Sequence, residues 1–333
     1  MKMLERKEMI LMLQCQQNNK PTFLMLVGLP GSGKSTYIEK YCENCIVHSS
    51  DAIREELSGD INNQDINKQV FETLHKRIKA DLIAGKNTVY DATNISWKRR
   101  KAFLQELSNI DCWKDCILMA TPFELCVERN NLRERKVPYF VIERMYKNFD
   151  IPWYNEGWDS IVIAYASADA MKQYGDWSRF VIDHLDFAQD SKWHTETLGD
   201  HCLKTLQYVE TREADLSPGN LLETKIAAAL HDCGKPFCKA FKDSKGEPSD
   251  FAHYYNHENI GAYNSLFYGK EDGVDSLLVA ALIRYHMVLH FFKDWKAKTV
   301  EKYEKEFVEH EYLQLIKFYD ALKILHEGDK KAH

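Results

Sequence analysis

LVGLPGSGKSTY, residues 26–37, is the stretch on which the fold of the first half turns. Gly28-Leu-Pro-Gly31-Ser32-Gly33-Lys34-Ser35 satisfies the full eight-position P-loop pattern, with an apolar run before it and a helical segment after it. In that setting the glycines let backbone N–H groups wrap phosphate oxygens, and the positive end of the following helix adds its field. Lys34 is placed to reach the β/γ-phosphates and Ser35 to offer a hydroxyl to Mg²⁺. Gly28, Gly31, Ser32, Gly33 and Thr36 complete the cradle. The loop implies an NTP, ATP or GTP, with Mg²⁺, and leaves the acceptor open.

Outward from the loop, the runs FLMLVGL, CIVHSS, NTVYDAT, DCILMAT and SIVIAYA alternate with helical segments. Short apolar runs separated by helices predict an α/β unit, a five-stranded parallel sheet with helices on both faces. Beyond His201 the pattern turns helical, with LLETKIAAALH, DSLLVAALIRYHM and EYLQLIKFYDALKIL. The expected organisation is an N-terminal helical extension over 1–21, the P-loop unit over 22–166, a connector over 167–192 and an all-α domain over 193–330. Ten of the 13 histidines lie at or after His194, which points to a second chemistry in the second half.

Bulk composition narrows the classes. A net charge of −6 over 333 residues excludes a polycation that holds nucleic acid by bulk charge, so such contact must be local. Nine cysteines without framework spacing suit a reducing compartment. The charged N-terminus does not read as a secretory signal, and no run reaches the roughly 20 apolar residues of a membrane span. The expectation is a cytoplasmic protein with no membrane partner.

What receives phosphate is suggested further along. HSSDAIREEL sets Asp51 and Arg54 just after the second strand, where a carboxylate can take the proton of an attacking hydroxyl. A plain helix cap is the alternative for Asp51. VERNNLRERKVP carries Arg129, Arg133, Arg135 and Lys136, able to neutralise a transferring phosphoryl group or simply to form a solvated face. Cys42, Cys45 and His48 have metal-like spacing without an obvious fourth ligand, so they read as ordinary core thiols. The aromatic IPWYNEGWD reads as a hydrophobic plug rather than a base-stacking surface.

Taken together, GLPGSGKST, SSDAIREEL, TVYDATN, VERNNLRERKVP and VIERMYKNF resemble the 5′-hydroxyl polynucleotide kinase domain of phage end-healing enzymes, over about 22–166. The resemblance implies that Lys34 and Ser35 hold the NTP phosphates and Mg²⁺. It makes Asp51 the general base, with Arg54 gripping the acceptor strand's phosphate. Arg133 matches the lid arginine and Arg129 a second arginine one turn earlier. Asp91 and Asn94 match a D-T-N element that here carries an extra residue.

In the second half, His201, the His231-Asp232 dipeptide, His257, His286 and Asp320 form an ordered series of metal-competent side chains, with Lys235 three residues after the dipeptide. The series resembles the HD phosphohydrolase superfamily over about 183–326. HYYNHENIGA and SKWHTETLGDH are similar to HD domains appended to tRNA nucleotidyltransferases, which act on 2′,3′-cyclic phosphates and 2′- or 3′-phosphomonoesters. That resemblance implies His201, His231, Asp232 and Asp320 as core ligands, with His257 and His286 added in a two-metal site. One or two divalent ions (Mn²⁺, Mg²⁺, Fe, Ni, Co or Zn) would clamp phosphate, and Lys235 would hold a phosphate oxygen. His253 and His194 are candidates for the phosphate pocket.

The pairing implies a bifunctional enzyme that heals nucleic-acid ends, RNA ahead of DNA and nicked tRNA among them, with a separate ligase acting downstream. Two rivals stand beside it. One is a small-molecule or nucleotide kinase fused to a nucleotide phosphohydrolase; the other is a non-catalytic nucleotide sensor.

Overall fold

The computed structural model describes residues 20–166, 174–268, 273–309 and 317–332. The expected N-terminal extension, apart from its last two residues, lies outside the described residues, as does the start of the expected connector. Backbone contacts divide the chain into two units. The first runs to Ile142 and returns as Pro152–Ala166; the second takes Glu143–Ile151 and everything after Ala166.

Up to Tyr165 the elements alternate: β1 (Thr22–Val27), α1 (Lys34–Tyr41), β2 (Ile46–Ser49), α2 (Ser50–Ser58), α3 (Asn67–Ile83), β3 (Thr88–Asp91), α4 (Trp97–Glu106), β4 (Trp113–Ala120), α5 (Phe123–Asn131), α6 (Tyr139–Lys147), which passes into the second unit at Glu143, and β5 (Ser160–Tyr165). The described strands form one parallel sheet in the order β2-β3-β1-β4-β5. Each expected apolar run is a strand. The central β1, TFLMLV, is buried along its whole length, as a strand covered on both faces must be, and this is why its sequence does not alternate. Register sets Leu26 beside Asp91 of β3 and Ile117 of β4. The carboxyl ends of β1, β2 and β3 therefore deliver the P-loop, Asp51 and Asp91 to one edge.

A buried ion pair braces that edge. Arg100 of α4 donates to both carboxylate oxygens of Glu156 at 2.6 and 2.7 Å, and both side chains are almost fully buried. Arg100 also donates to the Asn94 carbonyl at 2.8 Å, and the Asn94 amide donates to Leu26 O at 2.9 Å. The aromatic stretch IPWYNEGWD belongs to this brace. Trp153 and Trp158 are buried, and the Trp158 indole donates to Glu156.

The second unit is mainly helical: α7 (Trp177–Asp183), α8 (Leu198–Thr211), α9 (Leu221–Leu230), α10 (Lys235–Cys238), then α11 (His257–Tyr268), α12 (Ser276–Tyr285), α13 (Val288–Phe291), α14 (Ala297–Glu309) and α15 (Phe318–Lys331). Two differences from the sequence expectation stand out. The described part of the expected connector contains α7, whose Phe180 and Val181 are buried; a Cβ on Gly199 of α8 would lie 2.6 Å from Val181 O, so the two helices touch backbone to backbone. An antiparallel hairpin, β6 (Ala240–Lys242) with β7 (Pro248–His253), interrupts the helices, turning at Gly246 with φ +88°. The run Ser276–Asp294 is long and apolar enough to cross a membrane by composition. Half of it is buried inside the unit, and α12 within it is a core helix.

Candidate active sites

At the first site the P-loop needs its glycines for shape. Gly31 and Gly33 hold φ +80° and +96°, and a Cβ on Gly31 would fall 2.3 Å from Cys126 O. Gly33 starts α1, so the helix N-terminus faces the loop. Ser32 is buried, whereas Ser35 and Thr36 are exposed at the first turn of α1. Lys34 folds back onto the loop, donating to the Gly28 and Leu29 carbonyls at 3.0 and 2.9 Å. Burial pushes the Lys34 ammonium down to about 8. Burial likewise raises the Asp91 carboxyl above its usual range.

On the acceptor side, Asp51 opens α2 and points at two arginines. Arg54 Nη1 donates to Asp51 Oδ1 at 2.8 Å and Arg135 Nη1 to Asp51 Oδ2 at 2.6 Å. Arg54 is 4% exposed; its Nη2 donates to Asn67 at 2.8 Å, and its buried Nε has no acceptor among the described residues. Arg135 also reaches Asn62 at 3.0 Å, tying the loop after α5 to the loop after α2. Arg133 is exposed, with its charge acting on both Lys34 and Asp91. Arg129 stands near the P-loop, its Nη1 3.7 Å from where a Gly33 Cβ would sit. The arginine on the base is therefore Arg135, one of several in a run that sequence alone does not rank. His48 turns from Cys42 and Cys45 to Asp81, 3.1 Å away, consistent with core thiols.

The second site is assembled from distant parts of the chain. His201 comes from α8, His231 and Asp232 from the turn after α9, His257 from the start of α11 and His286 from the end of α12. Asp232 is 2% exposed and divides its oxygens. Oδ2 lies 3.4 Å from both His201 Nε2 and His231 Nε2; Oδ1 lies 3.2 Å from His257 Nε2 and 3.9 Å from His286 Nε2. His201–His231–Asp232 and Asp232–His257–His286 each bring their ligand atoms within 4.8 Å.

Whether these donors fit a cation can be read from the rings. The Nδ1 atoms of His231, His257 and His286 each bond the carbonyl three residues earlier, Ala228, Tyr254 and Ile283, at 2.9, 2.8 and 2.6 Å. A carbonyl can only accept, so each Nδ1 carries a proton, and in the neutral imidazole, the form that ligates a metal, each Nε2 keeps a lone pair. His257 Nε2 and His286 Nε2 are 3.3 Å apart, lone pair facing lone pair, an arrangement that asks for a cation between them. Asp232 is held well below the usual carboxylate range: its burial opposes this, and Lys235 with the surrounding imidazoles outweighs the burial. The donor set fits a divalent metal, with Asp232 placed to offer one oxygen to each pair of histidines.

Asp320 does not join this set. It is half-buried on α15, outside the cluster, and pairs with Lys323 at 2.7 Å. The acid delivered to the cluster is Asp329, 5% exposed, with Oδ1 3.2 Å from His201 Nε2 and Oδ2 2.7 Å from His290 Nε2. Nine residues make about two and a half helical turns, so the two acids face opposite sides of α15. A signal was available. Phe318, Ala321, Leu322, Leu325, Gly328 and Ala332 form the buried stripe of that helix, and Asp329 is the acid that falls within it. Lys235 is buried, 2.6 Å from Asp232 Oδ2, and also contacts Gln189 at 2.8 Å and His194 at 3.2 Å. His253 is committed elsewhere, to the hydroxyls of Ser249 and Tyr255.

Gly234 sets the spacing of this cage. Its φ is an ordinary −82°, but a Cβ there would sit 2.1 Å from His257 O and 2.7 Å from Gly261 N.

Comparison with known proteins divides the chain in the same way. The AAA domain family matches residues 23–152 and the HD domain family residues 198–324. An L-seryl-tRNA(Sec) kinase of Methanococcus maripaludis is 24% identical over 241 residues, 68% of this chain and 93% of that protein. An Acanthamoeba polyphaga mimivirus protein named as a bifunctional polynucleotide phosphatase/kinase is 32% identical over 152 residues, 43% of this chain and 32% of that protein. In the solved Pnkp1/Rnl/Hen1 complex a chain is 24% identical, the match covering 37% of this chain and 43% of that one, with a TM-score of 0.32. The chain thus spans less than half the length of these last two proteins.

Proposed function

We propose that this chain, which joins an AAA-type P-loop kinase domain to an HD domain, heals broken nucleic-acid ends, RNA ahead of DNA. The first unit transfers the γ-phosphoryl group of ATP or GTP to a 5′-hydroxyl. The second removes a 2′,3′-cyclic phosphate or a terminal 2′- or 3′-phosphate. The products, a 5′-phosphate and free 3′-terminal hydroxyls, are the ends a separate ligase requires, and nicked tRNA is a natural source of such breaks.

In the kinase unit Lys34 exchanges its two carbonyl partners for nucleotide phosphate, and Ser35 stands ready at Mg²⁺. Asp51 accepts the proton of the attacking hydroxyl while Arg54 fixes its orientation. The unpartnered Nε of the buried Arg54 supports an incoming phosphate as its missing acceptor. Arg129, Arg133 and Arg135 surround the transfer path with positive charge.

In the HD unit, divalent ions, when bound, supply charge neutralisation of the phosphate and the acidification of a water. The protein's part is to aim the Nε2 atoms inward through their Nδ1–H bonds, to divide Asp232 between two histidine pairs, and to hold Lys235 beside the same carboxylate. Asp329 takes the place expected for Asp320.

The observation that carries this reading is the Asp232 carboxylate shared by two histidine pairs, in a chain whose other unit sets Asp51 and Arg54 beside a P-loop. The test is an end-group assay with γ-labelled NTP, a 5′-hydroxyl oligonucleotide and RNA ending in a 2′,3′-cyclic phosphate. Asp51→Ala should lose transfer and keep phosphate release; His231→Ala should do the reverse. Loss of both activities in either variant would sink the two-site reading. A second acceptor is favoured by the archaeal relative, which matches over nearly its whole length: the hydroxyl of a seryl group carried on tRNA. Label appearing on seryl-tRNA and not on 5′-hydroxyl RNA would select it.

A further inference from the structure

Trp153 and Trp158, in the stretch expected to be a hydrophobic plug rather than a base-stacking surface, are buried at 5% and 6% exposure. Four exposed rings of the second unit lie elsewhere. Trp193 is 77% exposed, and Phe241, Phe251 and Tyr255 are about half exposed. They lie on two segments that are fastened together, the loop before α8 and the β6–β7 hairpin. Ala252 N donates to Asp190 O at 2.8 Å, Lys239 pairs with Asp190 at 2.7 Å, and the Tyr254 hydroxyl donates to Gln189 O.

The same loop reaches the HD cluster. Gln189 and His194 both contact Lys235, which is 2.6 Å from the shared carboxylate of Asp232. Trp193 therefore adjoins, in sequence, a side chain two contacts from Asp232. Lysines accompany the rings: Lys192 Nζ lies 5.6 Å from the Trp193 ring centre, and Lys239 Nζ lies 4.7 and 6.0 Å from those of Phe187 and Phe241. Tyr255 stacks flat on His253, 5.4 Å apart and 6° from parallel.

We infer that these rings form a shelf on which the unpaired bases of a nucleic-acid 3′ end stack, delivering the terminal phosphate to the HD cluster. This rests on the proposed reading of that cluster as an end-processing phosphohydrolase. Flat rings interleaved with ammonium groups match bases joined by phosphates. An apolar protein segment would be better served by an aliphatic groove without the lysines. The chain's net charge of −6 supplies no bulk attraction, so stacking beside the cluster is the means by which a strand end is retained.

The test compares wild type, Trp193→Ala and Trp193→Phe on two substrates with Mn²⁺: a single-stranded ribo-oligonucleotide ending in 3′-phosphate, and p-nitrophenyl phosphate, which has no base. The readout is the ratio of kcat/KM on the oligonucleotide to that on the small ester. Stacking of about 1–3 kcal/mol per base predicts that Trp193→Ala lowers this ratio by roughly 5- to 150-fold, through KM, while Trp193→Phe largely keeps it. A ratio that stays put overturns the shelf, whether both activities hold or both fall together, since the latter marks Trp193 as support for the His194 loop. A wild-type protein that cleaves the small ester and no 3′ end overturns the reading of the cluster itself, a result distinct from an unchanged ratio.

Discussion

The two sites are built by opposite means. The phosphate cradle of the first unit is eight consecutive residues whose chemistry is mostly backbone: glycines that bend, N–H groups that point, one lysine. The histidine–aspartate cage of the second unit contains almost no useful backbone. It is a meeting of imidazoles and carboxylates from α8, α11, α15 and the ends of α9 and α12, and the rings of His231, His257 and His286 are each aimed by a carbonyl three residues earlier. A contiguous site tolerates drift in the rest of the fold. A dispersed one depends on every helix being in register, and losing one ligand there should cost more than losing one donor in the loop.

That contrast can be broken most sharply at α15. Asp329→Ala should reduce metal-dependent phosphate release by more than about 100-fold and lower the metal content measured by atomic emission, as ligand loss does. Asp320→Ala, on the opposite side of the same helix, should stay within about twofold. Equal effects of the two substitutions would contradict the helix register described above.

The next largest effect is expected in the first unit, where a side-chain pair does what backbone does elsewhere. Arg100→Met leaves Glu156 buried without its partner, and the urea unfolding transition should shift by about 3–5 kcal/mol of stability. Replacing both residues by apolar ones of similar volume should recover most of that loss.

The smallest effect sharpens the account of the cradle. With Lys34 at about 8, below its ordinary range, the amine of the free protein is largely neutral above pH 8. Bound phosphate favours the ammonium. Nucleotide binding should therefore take up a proton above pH 8, and affinity should fall as pH rises from there, by up to tenfold per unit. Below pH 8 the lysine is already charged and the dependence should flatten. Calorimetry in buffers of different ionisation heat measures the uptake, and Lys34→Met should abolish it.

The same contrast explains what could be read beforehand. Strands and P-loop were legible because their signals are local: five apolar runs and one unbroken motif. The identities of His201, His231, Asp232, His257 and His286 were legible as residue types in order, although nothing local says that they meet. The last acid was misassigned because Asp320 and Asp329 share one helix, and only the buried stripe separates them. Arg135 was not told apart from its neighbours because four cations crowd one loop, and the choice depends on where that loop crosses α2. Helix α7 hid in an expected connector because its burial comes from α8 pressing on it through Gly199, a long-range fact with no signature in either segment.

Gly234 remains, an unremarkable residue in an unremarkable conformation. Because nothing projects from its α-carbon, the turn that bears His231 and Asp232 can lie flush with the backbone that opens α11. One hydrogen atom thus sets the bore of the cage. A single methyl at this point would wedge the paired halves apart, and the cage would be forced to widen, with every one of its side chains still present.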